Sequence, residues 1–141
     1  MRKLDEGNTE HSLSNYERHP KPTEDAKLYS VLSHITLGIV GIIILLGLIK
    51  SVKGDRFAIT NALTAIFNGL IAIITMVVWH LIYLTAGSLA GPQLLFDIYR
   101  YGMIVLILIF FISAFISSVL SARGSVSKIP WAYPITKALL K

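Results

Sequence analysis

Residues 57–96 read FAITNALTAIFNGLIAIITMVVWHLIYLTAGSLAGPQLLF, forty positions without one Asp, Glu, Lys or Arg. A helix needs about 20 mostly apolar residues to cross the hydrocarbon core of a bilayer. The stretch therefore holds one crossing, a turn and the start of a second. The turn is marked by Thr85 to Pro92, where Gly87, Ser88, Gly91 and Pro92 gather. Beyond it, residues 101–122 are again free of charge, and before it so are residues 28–49. Of 141 residues, 54% are hydrophobic and only 15% charged, where a soluble domain carries about 25% charge. A soluble chain this short could not hide so much apolar surface from water. The expected fold class is all-α: a polytopic helical membrane protein with two full transmembrane helices.

A third element precedes them. Residues 1–25 read as a mobile polar tail, closing on His19-Pro20-Lys21-Pro22 and a helix start at Thr23-Glu24-Asp25. Residues 26–122 form the helical membrane domain. Its first segment, Ala26 to Lys50, contains Gly38 and Gly41 near its middle. It is either a third span or an N-terminal re-entrant hairpin. Residues 123–141 read as an interfacial C-terminal tail. Trp131 and Tyr133, set between Pro130 and Pro134, suit the headgroup region, and Ile135 to Lys141 would lie along the surface. The first apolar run begins only near residue 28, so no secretory signal peptide is expected.

Charge separates the two arrangements. With three simple spans, the basic residues divide six against seven between the two sides. If the first segment enters and leaves on one side, the division becomes twelve against one, with Arg100 alone opposite. The positive-inside rule favours the hairpin, with both termini cytoplasmic in the cell membrane. Its cost is backbone at the bend that protein or water must cover. The net charge of +5 flanks the apolar segments. It points to lipid headgroups and not to nucleic acid.

The second and third segments carry small-residue seams. Ala58, Ala62, Ala65, Gly69 and Ala72 share one side of a helix, with Asn61, Thr64, Asn68 and Thr75 beside them. Ser113, Ser117 and Ser121 repeat every four residues, with Ala114, Ser118 and Ala122 one step on. Small residues let helices approach closely, and amides or hydroxyls hydrogen-bond across the gap. The two seams are expected to face each other as a packing device. The alternative is that Asn61, Asn68 and the serines line a polar path.

The candidates for chemistry are sparse. There is no Cys. No nucleophile elbow, phosphate loop or dinucleotide fingerprint is present. The seam lacks an acid or a base, so general acid–base catalysis has no candidate pair. Neither an enzyme nor a cofactor is expected. His34 and His80 are intramembrane functional candidates by type, though each suits a neutral place near a membrane boundary. Neither has a ligand partner three or four residues away, so no metal site is expected. Asp97 and Arg100, three apart, would form a surface pair with a role in gating or docking at most.

Three stretches taken together carry a resemblance. They are Ala26-Lys27-Leu28-Tyr29-Ser30-Val31-Leu32-Ser33-His34, the basic loop into Phe57-Ala58-Ile59-Thr60-Asn61-Ala62, and Ala122-Arg123-Gly124 followed by Trp131-Ala132-Tyr133-Pro134-Ile135. Over roughly residues 26–137 the chain resembles the Tic-twenty-like family, the plastid inner-envelope import component and its small prokaryotic relatives. The resemblance implies a compact helical membrane protein with both termini on one side, usually of four membrane segments. The first segment here is short for two of them. Plastid members are held to help form a protein-conducting complex, and no catalytic residues come with the family. The expected function is a non-enzymatic subunit or scaffold of a membrane assembly, which that resemblance ties to protein translocation. Its expected partners are the lipid bilayer and either its own copies or another membrane protein. The alternative is an oligomeric pore or small-solute carrier lined by the Asn and Ser seam.

Overall fold

A computed structural model describes residues 21–86 and 92–140. The expected tail thus falls mostly outside the described residues, as does most of the turn at 85–92. The described residues form helices and no strand: α1 (Glu24–Ile35), α2 (Ile39–Leu45), a 3-10 turn (Lys50–Val52), α3 (Arg56–Ala86), α4 (Pro92–Ala122) and α5 (Tyr133–Leu139).

Two helices dominate. α3 and α4 have 31 residues each, about 46 Å at 1.5 Å per residue. Both are long and apolar enough to cross a membrane. Their surfaces are the reverse of a soluble protein's. Ile73, Leu84, Phe111 and Phe115 are each at least 60% exposed. Among the buried residues other than glycine, eleven are apolar and eleven polar. Lipid tails can cover the outer side chains, and helix contacts must satisfy the inner ones.

Residues 26–50 do not make one helix. Thr23 caps α1, its hydroxyl accepting from the Ala26 N–H at 3.2 Å, with Glu24 and Asp25 in the first turn. α1 then stops after 12 residues. Gly38 N–H donates to Ser33 O at 2.8 Å and Leu37 N–H to His34 O at 3.1 Å. These paired bonds close the helix end in a Schellman motif. The left-handed position is occupied by Leu37 (φ 50°), a conformation that costs a β-carbon-bearing residue about 1–2 kcal/mol. The Thr36 hydroxyl then accepts from Val40 N–H at 3.1 Å, satisfying a donor at the start of α2.

The chain doubles back along α3. Ala26, Ile44, Val52, Ala58 and Ala62 form one apolar cluster near the α3 N-terminus. The turn itself reaches Gly69, about 20 Å along α3. A β-carbon at Gly69 would run into Leu37 O. One at Gly38 (φ 99°) would lie 2.6 Å from Ile66 Cα, and one at Gly41 2.9 Å from Ala62 O. The Ala and Gly side of α3 thus receives α1 and α2. At 12 and 7 residues, neither is long enough to cross a bilayer.

The C-terminal segment is expected at the surface, but its first part packs inward while residues 137–140 remain exposed. α4 ends in another Schellman motif at Gly124 (φ 78°), with Ser125 N–H on Leu120 O and Gly124 N–H on Ser121 O, both at 2.9 Å. Residues 125–132 then run back between the helices. Ser127, Ile129, Ala132 and Thr136 are all buried.

Candidate functional site

The interior is organised around two asparagines of α3. The backbone N–H of Ser127 faces Asn61 at 3.0 Å and can only donate, so the amide atom it meets is Oδ1. That oxygen also accepts from Ser121 Oγ at 3.2 Å and lies 3.5 Å from His34 Nε2. Asn61 Nδ2 donates to Phe57 O at 3.1 Å. One side chain therefore joins α1, α3, α4 and the C-terminal segment. The histidine nitrogen facing this acceptor is Nε2, which donates to it in the tautomer that carries its proton there. His34 Nδ1 is buried and has no hydrogen-bond partner among the described residues.

Asn68 is the second hub. Trp131 Nε1, which can only donate, reaches its Oδ1 at 2.8 Å. Ser113 Oγ lies 3.4 Å from the same oxygen while donating to Phe110 O at 2.8 Å. The Trp131 ring meets Phe110 edge-on, with centroids 5.8 Å apart. Between the hubs, Thr64 Oγ1 lies 3.2 Å from Thr136 Oγ1, and Ser127 Oγ lies 2.7 Å from Ser117 Oγ.

The predicted seams do come together, but with a third party between them. Asn61 meets Ser121 directly and Asn68 meets Ser113. Ser117 instead meets Ser127. Ala62, Ala65 and Gly69 are buried with Thr64 on α3, and Ala62 and Gly69 face the N-terminal elements. Ser127, Trp131 and Thr136 are the participants that sequence reasoning missed. Trp131 turns inward. It lies beside Asn68 and Phe110, about 18 Å from the nearer ends of both long helices. Its one sequence signal was chemical: an indole N–H taken inside needs an acceptor.

The remaining candidates lie elsewhere. His34 is buried in the seam, beside Asn61. His80 is exposed on α3, its Nδ1 3.1 Å from the Tyr99 hydroxyl. It belongs to an aromatic cluster with Tyr83 and Tyr99, whose rings stack at 4.3 Å. Asp97 and Arg100 are both exposed and form no ion pair among the described residues. Arg100 turns to Tyr101, its guanidinium carbon 5.1 Å from the ring centroid. Among the described residues the one ion pair is Lys27–Glu24 at 2.7 Å. No three His, Asp or Glu side chains among them gather as a metal site would require.

The fold thus defines an all-helical protein with two helices long and apolar enough to cross a membrane and a hydrogen-bonded polar interior. Neither a protein-family model nor a curated protein nor a solved structure matches the chain.

Proposed function

We propose that this chain is a non-enzymatic, multi-pass membrane protein that serves as a subunit or scaffold of a membrane assembly. The observation that carries this reading is the closure of the polar seam by the chain's own C-terminal segment. Asn61, Asn68 and Ser117 are each at most 2% exposed, and their acceptors are taken by Ser127 and Trp131. Amides and hydroxyls hold helices together and are poorly suited to acid–base chemistry. The same occupancy weighs against a pore or carrier along this seam, since a conduit needs those groups wet.

In this reading α1 and α2 form a re-entrant hairpin, and residues 125–139 make a second short excursion from the same side. Protein inside the bilayer covers the backbone at both bends, as lipid-depth irregular structure requires. Both termini then lie on the cytoplasmic side of the cell membrane, and the basic residues divide twelve against one. Protein translocation is the setting that the Tic-twenty-like resemblance suggests. The partner is a second copy or another membrane protein, held through the apolar outer faces of α3 and α4.

Mild crosslinking in native membranes tests the reading. A discrete higher-mass species containing the chain is the expected result. A chain that remains monomeric at every crosslinker concentration would sink the subunit proposal.

A further inference from the structure

Beside the closed seam lies an open one. A crevice of about 590 Å³ runs along the outer face of α4, walled on its other side by residues 126–131. Ile109, Ile112, Ile116 and Leu120 form one wall, spaced three, four and four apart, and Ile129 and Pro130 the other. Trp131 lines it with Ser113 near the deep end, and Lys128 is its charged lining residue. The volume falls within the ~300–1,000 Å³ of ligand sites.

We propose that this crevice holds an acyl chain of an anionic phospholipid, with Lys128 meeting the headgroup. The wall from Leu120 to Ile109 is about 16 Å long, close to half of the ~30 Å hydrocarbon core, which is the depth of one leaflet. The polar end is placed to match. Ser127 contacts Ser117 and Asn61, each about 7 Å inside the nearer helix end. The exposed Lys128 next to it can extend its stem along the wall and bring its ammonium to the level of the phosphates. An ammonium there selects for negative headgroups. The inference rests on the membrane reading.

The crevice contains its own reporter. The chain has two tryptophans, Trp79 and Trp131, so Trp79→Phe leaves Trp131 alone. The full-length variant is reconstituted into phosphatidylcholine vesicles. A minor fraction of phosphatidylglycerol or phosphatidylcholine brominated at mid-chain is then included. Flotation with the vesicles tests the membrane reading separately, and failure to float overturns both claims. Bromines in the crevice lie against Trp131 and quench it. The expected result is quenching by the anionic lipid at about five-fold lower mole fraction, the preference one lysine gives at such a surface. Lys128→Gln abolishes that preference, and Ile116→Phe, which fills the crevice, weakens quenching by both lipids. Equal quenching by the two lipids in the starting variant overturns the headgroup assignment. No quenching by either overturns the acyl-chain site. A disulfide between copies through Ile112→Cys would give the crevice to a second copy instead.

Discussion

Asn61 is where a single side chain has the largest consequence. Its Oδ1 meets donors from His34, Ser121 and Ser127. Asn61→Leu has nearly the same volume but strands those donors in the interior. Each unsatisfied buried donor costs about 1–3 kcal/mol, although membrane hydrogen bonds measured by double-mutant cycles average only ~0.6 kcal/mol. The expected loss is about 2 kcal/mol, read from unfolding of the purified chain in micelles. A stability equal to the wild type would mean that the hub is not a hub. Trp131 allows a cleaner separation of terms. Trp131→Phe keeps a ring against Phe110 and removes only the Nε1 bond to Asn68, for a loss of ~1 kcal/mol. Trp131→Ala removes the ring as well and is expected to cost ~3 kcal/mol or more. The same unfolding measurement should rank the two in that order.

At the scale of elements, glycine decides how closely the N-terminal helix pair approaches α3. Gly69 has no room for a β-carbon beneath Leu37 O, and Gly38 combines a positive φ with contact to Ile66. Gly69→Ala and Gly38→Ala should each push α1 and α2 off α3, at a cost of ~1–3 kcal/mol for overpacking against backbone. Ser33 is buried on α1, so Ser33→Cys reports the displacement. A small thiol reagent should label it slowly in the parent and faster in either glycine variant. Unchanged rates would mean that the turn can shift without loosening the pair. Gly54 is the control. It has a positive φ but open space around a β-carbon, so Gly54→Ala should strain its own loop and leave Ser33→Cys protected.

For the whole molecule, the proposal makes a topological prediction. Cysteines introduced at Gly54 and Ser125 should share one side of the membrane, and one at Ser88 should lie on the other. Ser125 is exposed, unlike the buried Ser127, and so is the suitable C-terminal position. A membrane-impermeant thiol reagent added to intact cells should label Ser88→Cys alone, with the other two labelled after lysis. A cysteine at Ser12 places the N-terminal side. Labelling of Ser12→Cys together with Ser88→Cys would make residues 26–50 cross the bilayer, and the hairpin would be abandoned.

By itself the sequence determined the two long helices, the helix start at Thr23 and the small-residue side of α3. Those are local quantities. An uncharged run of sufficient length has few other solutions, and spacing along a helix assigns a face without reference to any partner. It did not determine what each face would meet. The break after Ile35 was open because Gly38 and Gly41 are tolerated in membrane helices, and Leu37 proved to be left-handed as well as Gly38. His34 and Trp131 each suited a membrane boundary on type alone. Only tertiary structure drew them to Asn61 and Asn68, partners 27 and 63 residues away. The physical reason is that a buried donor accepts any acceptor within reach, so its partner is set by how the whole chain packs and not by its neighbours in sequence.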